Sequence, residues 1–374
     1  MLRPLAVAVI LVCWSAPVPG EPDEIQPGSL NSSALCGECH EEIYAMWRHS
    51  MHSLAFKDPI FQTSYMQAYL ETSGEARHLC LKCHAPVTTV TGDLDVQQPL
   101  SQEGVTCDFC HSIASVDLKK RNGRFEISLD GSKRGPLADA ESPVHGVVKS
   151  KLHESSKLCA GCHEFSSENG VPIFSTYSEW KVSPQAAEGK TCQSCHMPLT
   201  PGNTVRSDLG VERTSINLHN ISGGHSSEQV RKSATAKILS VKRQNSTRAI
   251  IDVEVANVGS GHFIPTGLPT RKLILEVTLF SGGRLIRRFE RKYEKKLLDA
   301  EGNLITTDHG AIMNARKLLE DSRLRPGERR LERFATDVPS TGALRVEMEL
   351  RYSYDAELIS PSRISIQIAT DKSP

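Results

Sequence analysis

The amino-acid sequence predicts an α+β protein in two parts: a mostly α-helical and irregular region to about residue 230, then an all-β immunoglobulin-like sandwich. Three observations predict it. The pattern C-x-x-C-H occurs five times, always before Met197. From Thr235 the pattern is gone, and short runs rich in Val, Ile and Leu follow one another between turn residues. Only 39% of the 374 residues are hydrophobic and 5% aromatic, so the first part has little apolar material from which to build a core.

The five copies are Cys36-Gly37-Glu38-Cys39-His40, Cys80-Leu81-Lys82-Cys83-His84, Cys107-Asp108-Phe109-Cys110-His111, Cys159-Ala160-Gly161-Cys162-His163 and Cys192-Gln193-Ser194-Cys195-His196. C-x-x-C-H is the attachment signature of a c-type haem. Residues three and four apart share a helix face, so two sulfurs can meet the two vinyl groups of one porphyrin while the histidine sits under its iron as proximal ligand. The five motifs use all but one of the 11 cysteines, and the last, Cys13, lies in an N-terminal apolar run. A disulfide framework leaves the invariable histidine unexplained. A zinc ribbon needs pairs of pairs, and five pairs leave one over. The expected cofactors are therefore five covalently bound haem c groups. They would supply the missing apolar surface, and the polypeptide without haem is expected not to fold.

In chain order, residues 1–20 read as a secretory signal, with Arg3 as its charged start, an apolar run from Leu5 to Trp14 and small or turn-forming residues after it. Residues 21–230 form the expected haem domain and 231–374 the β-sandwich. Residues 21–32 read as a linker. Ser32 or Ser33 should cap a helix running through the first motif to about Phe56. Asp58-Pro59 should open a second helix that ends at Gly74. Residues 85–106 and 112–152 read as irregular, with a short strand at Phe125–Leu129 and a helix over Lys151–His163. Seven strands are expected beyond them: Thr235–Val241, Ala249–Val258, Lys272–Phe280, Arg284–Tyr293, Arg330–Val338, Leu344–Tyr352 and Ser362–Ala369. The cluster Arg284, Arg287, Arg288 and Arg291 reads as the solvated face of one of them.

A proximal histidine leaves one axial position on each iron. A second histidine there makes a low-potential carrier, and an open position admits a substrate. The distal candidates are His52, His145, His153, His219 and His225, with His49, His78 and His262 behind them and His309 last. His49 and His52 follow the first motif on one expected helix and should serve a neighbouring haem, because proximal and distal groups occupy opposite porphyrin faces. If His262, in Gly259-Ser260-Gly261-His262, binds an iron, the sandwich is clamped to the haem domain.

Cys36–His40 followed by Ile43-Tyr44, Trp47, Ser50 and His52 resembles the opening of multihaem cytochromes related to the tetrahaem cytochrome of nitrifying bacteria, the cytochrome c-554-like superfamily. Glu103-Gly104-Val105-Thr106, Ser142-Pro143-Val144-His145, His219 through Gly223-Gly224-His225, and Gly261-His262-Phe263-Ile264-Pro265-Thr266-Gly267 are similar to further segments of those proteins. The resemblance implies closely stacked porphyrins working in electron transfer, with His52, His145 and His219 as distal ligands. The chain departs from the tetrahaem pattern by its fifth motif and its β domain.

Lys+Arg and Asp+Glu number 44 each, which gives no support for nucleic-acid binding. The expected protein is an exported electron carrier, periplasmic or extracellular, with other exported redox proteins or cytochromes as partners and no membrane span after signal removal. Self-association is open. Two alternatives stand beside it: a reductase of a small nitrogen or sulfur species at one open iron, and a subunit of an extracellular cytochrome filament or surface complex.

Overall fold

The computed structural model describes residues 28–120, 124–209, 213, 215–356 and 362–373, so the signal sequence read over 1–20 lies outside the described residues. The N-terminal region is a string of short helices joined by long irregular segments. Ser32 caps the first, Ser33–Gly37, through the N–H of Ala34. The single helix expected to run to Phe56 is broken. It stops at Gly37 and resumes as Glu41–Trp47, and residues 48–57 are turns. The break has a local cause: the Cys39 carbonyl, which would continue the helical ladder, accepts from the Arg206 N–H at 2.9 Å instead.

The second expected helix is Pro59–Glu71, with Asp58 accepting from the Phe61 N–H at 3.3 Å and Gly74 beyond its end at φ +94°. Arg77–His84 and Lys157–His163 end on the second and fourth motifs; Cys107–Ser112 and Cys192–His196 begin on the third and fifth. Thr106 and Thr191 cap the latter two. The strand expected near Phe125 is Arg124–Ile127, paired with Ile113–Asp117.

The C-terminal region contains the seven expected strands: β1 (Ala234–Asn245), β2 (Arg248–Asn257), β3 (Arg271–Ser281), β4 (Arg284–Tyr293), β5 (Arg329–Asp337), β6 (Leu344–Ala356) and β7 (Ser362–Lys372). They form two antiparallel sheets, one ordered β5–β2–β1 and the other β4–β3–β6–β7. Alternation builds the core. Ala249, Ile251, Val253 and Val255 of β2 point inward, against Leu273, Leu275, Val277 and Leu279 of β3 and Val346, Met348 and Leu350 of β6. β4 is an edge strand, and Arg284, Arg287, Arg288 and Arg291 are exposed along it, where charge discourages pairing with another sheet.

The two parts differ in how they are held. The β region has one continuous core, whereas the buried apolar side chains of the N-terminal region fall into small separate groups, such as Val87, Phe109, Ile113 and Val116, or Leu81, Ala85 and Val96. A further group joins the parts: Val171 and Ile173 pack with Leu297, Ala311 and Ala315. Ile60 adds to the β core from the other side.

Candidate haem centres

All ten motif cysteines are free thiols. Their arrangement is not random: Cys36 lies within hydrogen-bonding reach of Cys107, Cys83 of Cys162, and Cys159 of Cys192. Each of these contacts joins two different motifs. Burial pushes the thiols of Cys80 and Cys110 up to about 12. Among the described residues no group of three or more His, Cys, Asp or Glu is placed to hold a metal ion.

Four of the five motif histidines are oriented alike. The Nδ1 of His40 meets the Thr204 carbonyl at 2.6 Å, that of His84 the Ala55 carbonyl at 2.9 Å, that of His111 the Arg134 carbonyl at 2.5 Å and that of His196 the Ser222 carbonyl at 2.7 Å. A proton donated from Nδ1 to a carbonyl leaves the lone pair on Nε2, the arrangement that prepares an imidazole for a metal. Three histidines outside the motifs are held the same way: His145 on the Gly146 carbonyl at 2.9 Å, His219 on that of Asn217 at 2.6 Å and His262 on that of Phe263 at 2.9 Å. Burial keeps the key rings neutral. It lowers His52, His111 and His219 to about 4 and His163 to about 3. A neutral ring is the form that binds iron.

The rings also pair across the fold. His40 faces His145 with centroids 6.3 Å apart, His163 faces His52 at 6.3 Å, and His196 faces His262 at 6.4 Å with planes only 9° apart. A metal bound between two imidazoles through bonds of about 2.0 Å holds the ring centres roughly 6.2 Å apart. These three pairs therefore leave the room one iron needs, and the residues present fit haem.

The third motif is different. His111 has His153 beside it at 5.6 Å and 17°, closer than that spacing. The Nε2 of His153 is engaged with the Cys110 carbonyl at 3.0 Å, and its Nδ1 is buried without a partner. His219 lies near enough to His111 for the charge of His111 to add to burial in lowering His219. At the second motif the ring against His84 is Phe61, stacked at 3.7 Å and 7°. His225 stands at the surface, under the charges of Arg271 and Asp58. His309 forms an ion-pair contact with Glu71 at 3.2 Å, and His49 accepts from Arg48 at 3.0 Å.

Five C-x-x-C-H segments, three pairs of cysteines from different motifs in contact, and imidazoles prepared through Nδ1 and paired at metal-binding distance are the arrangement that a multihaem c-type cytochrome requires. The comparisons agree. Residues 35–112 match the family described as cytochrome c554 and c-prime. The crystal structure of a penta-heme cytochrome c552 from Thermochromatium tepidum superposes with a TM-score of 0.70 at 23% identity, over 93% of this chain and 100% of that one. The shared fold thus includes the β region. A CARDB domain from Pyrococcus furiosus (12% identity, 36% of this chain, 87% of that one) and the putative ApaA protein from Bordetella pertussis (15%, 37%, 88%) each reach a TM-score of only 0.18, and nothing is drawn from them. No curated protein sequence matches the chain. Among the described residues no helix is long and apolar enough to cross a membrane.

Proposed function

We propose that this protein is an exported pentahaem cytochrome that carries electrons between other exported redox proteins through closely spaced, mainly bis-histidine haems. The observation that carries the reading is the set of imidazole pairs at 6.3–6.4 Å. In this reading His145 serves the iron of His40, His52 that of His163 and His262 that of His196. His219 serves the iron of His111. Its Nε2 is left free by the bond from Nδ1, whereas the Nε2 of His153 is already spent on Cys110. His153 then packs beside that haem rather than binding it. When bound, haem supplies one-electron redox chemistry, and histidine at both axial positions keeps the potential low. Thiols of different motifs in mutual contact support porphyrins placed near one another. The sheet order β5–β2–β1 and β4–β3–β6–β7 supports an immunoglobulin-like sandwich for the β region.

The test is intact mass together with electron paramagnetic resonance of the oxidised protein from a maturation-competent host. The expected mass is that of the chain, shortened by its signal, plus five haems, with most irons low-spin. A bare polypeptide, or a majority of high-spin irons, refutes the reading.

A second reading is a reductase of a small nitrogen or sulfur species with an open iron at the second motif. Among the described residues no imidazole pairs with His84 at iron-spanning distance, and Phe61, stacked on the face of its ring at 3.7 Å and 7°, lies on the His84 side of that iron. His225 shares with His84 the influence of Asp58 and is the histidine that could close that iron. An optical shift with carbon monoxide or nitrite in the wild type favours the reductase. A shift only in H225A favours the carrier.

A further inference from the structure

The loop that presents His262 is held from the other part of the protein by a carboxylate, that of Glu179, and by the Thr176 hydroxyl, which lies 2.7 Å from that of Thr266. Glu179 lies on the helix Thr176–Lys181, in the N-terminal region, and is 5% exposed. Its Oε2 accepts from the N–H of Phe263, the residue after His262, at 3.1 Å and from the Thr266 hydroxyl at 3.1 Å. Its Oε1 meets Nη2 of Arg323 at 2.8 Å. Arg323, 4% exposed, is fixed in turn by Asp321 through two bonds of 2.7 Å and by the Pro265 carbonyl at 3.2 Å, and its guanidinium lies 5.0 Å over the Phe263 ring.

The rest of the loop is built to one conformation. The side-chain nitrogen of Asn257 donates to the His262 carbonyl at 2.9 Å, and the Ser260 hydroxyl lies 2.9 Å from Nδ1 of His262. Gly261 lies close to Trp180 and Gln185, and Gly259 approaches the Lys232 carbonyl so closely that a Cβ would stand 1.8 Å from it. The other contacts fall within the β region or its lead-in helix. The Glu179 carboxylate, the Thr176 hydroxyl on Thr266 and the packing on Trp180 and Gln185 reach across.

We propose that Glu179 is the positioning residue for His262, so that docking of the β region and ligation of the fifth motif's iron are one event. The proposal rests on the reading of His262 as distal ligand. It goes beyond that reading in assigning which group aims the ring. A buried carboxylate that accepts two hydrogen bonds on one oxygen and faces a guanidinium with the other cannot lose its charge without leaving that buried guanidinium short of its ion-pair partner. The loop it fixes would then be free to swing His262 off the metal.

The experiment uses the intact holo-protein in five forms: wild type, H262A, E179Q, T266V and T176A. Low- and high-spin irons are counted by electron paramagnetic resonance, and carbon monoxide binding is followed optically. H262A should turn one low-spin iron high-spin and admit carbon monoxide there. E179Q should show the same new signal in part, from a shift of about tenfold or more in the ratio of ligated to released His262. Added imidazole should return that iron to low spin, while the other irons stay unchanged. T266V, which removes one donor from the same carboxylate and also the bond to the Thr176 hydroxyl, should give a smaller signal of the same kind. Read beside T176A, which removes only that second bond and should leave every iron as in wild type, it serves as the test if E179Q fails to accumulate. E179Q indistinguishable from wild type while H262A loses one low-spin iron overturns the proposal and leaves the ligand reading standing. H262A indistinguishable from wild type overturns both.

Discussion

Gly104→Ala should be among the most damaging single-methyl changes in the N-terminal region, and the reason lies in backbone geometry. Gly104 adopts φ +74° and ψ −132°, a conformation open to glycine alone. A Cβ there would stand 2.4 Å from the His52 carbonyl oxygen, 2.9 Å from that of Ser53 and 3.1 Å from the Ala55 nitrogen, all main-chain atoms that cannot rotate away. The flanking residues pin both strands of this contact. The Val105 N–H donates to the same His52 carbonyl at 2.8 Å, and the Trp47 indole donates to the Val105 carbonyl at 2.9 Å. Holding a non-glycine residue in such a sparsely populated region costs about 1–3 kcal/mol, and forcing atoms into packed space costs about 1–3 kcal/mol. The expected loss is thus about 2–6 kcal/mol, a large part of what a domain has. His52 is the ring that faces His163, so the same push should loosen the fourth motif's iron. Thermal unfolding followed in the Soret band measures the first effect, and the low-spin count measures the second. A G104A protein within about 0.5 kcal/mol of wild type, with every iron unchanged, would sink this argument.

Gly161→Ala, inside the fourth motif, would place a Cβ 2.1 Å from the Phe125 ring. Limited proteolysis should show that it loosens the hairpin of Ile113–Asp117 and Arg124–Ile127, and equal resistance to protease would count against it. The expectation that the haem-free polypeptide does not fold narrows to the N-terminal region, because the β region has its own core; a protease should trim haem-free polypeptide towards residue 230, and uniform protection would contradict this. Lys295 is buried against the Pro172 and Ile173 carbonyls, and burial, with Arg323 nearby, pushes its ammonium down to about 8. An unfolded lysine titrates near 10.4, so the unfolded state holds more protons in between, and stability should rise with pH across that window by up to about 3 kcal/mol. Below it the buried charge costs its full amount. Denaturant titrations of wild type and K295M on both sides of the window check this, and parallel pH profiles would refute it.

The motifs were legible because covalent attachment fixes their spacing within five residues. The strands were legible because a sheet with one buried face writes its period into the sequence, as Ala249, Ile251, Val253 and Val255 do. The break after Gly37 was not legible, because it depends on Arg206, far along the chain, taking the Cys39 carbonyl. The pairs of short strands, such as Phe165–Ser166 with Pro172–Phe174, are too brief to carry any period. One segment of the family resemblance now has a physical account. In Glu103-Gly104-Val105-Thr106, Glu103 accepts from the Ser32 hydroxyl at 2.6 Å and the Ser33 N–H at 2.8 Å, Gly104 admits the His52 carbonyl, Val105 fastens it, and Thr106 caps the helix of the third motif. The histidine partners were the least legible. Polar surroundings put His153 ahead of His262 in the sequence, whereas the fold gives the metal-ready Nε2 and the facing ring to His262.

The order of those partners along the chain bears on assembly. His52 precedes the fourth motif, so the ring that faces His163 is already made when that motif emerges. The partners of the first and fifth motifs come later, His145 for His40 and His262 for His196. An iron bridging such a pair closes a long loop, and the entropy of that closure grows only slowly with loop length. Long separations are therefore tolerable once both rings are prepared, and the Nδ1 bonds prepare them. His262 is the exception in one respect: its ring is set by a loop whose strands must first form a sheet, and by Glu179, which must already stand on its helix. If His262 binds the iron of the fifth motif as proposed, that centre can be completed only after both parts of the protein have folded, and the joint between them, not either core alone, is then the last element of the structure to form.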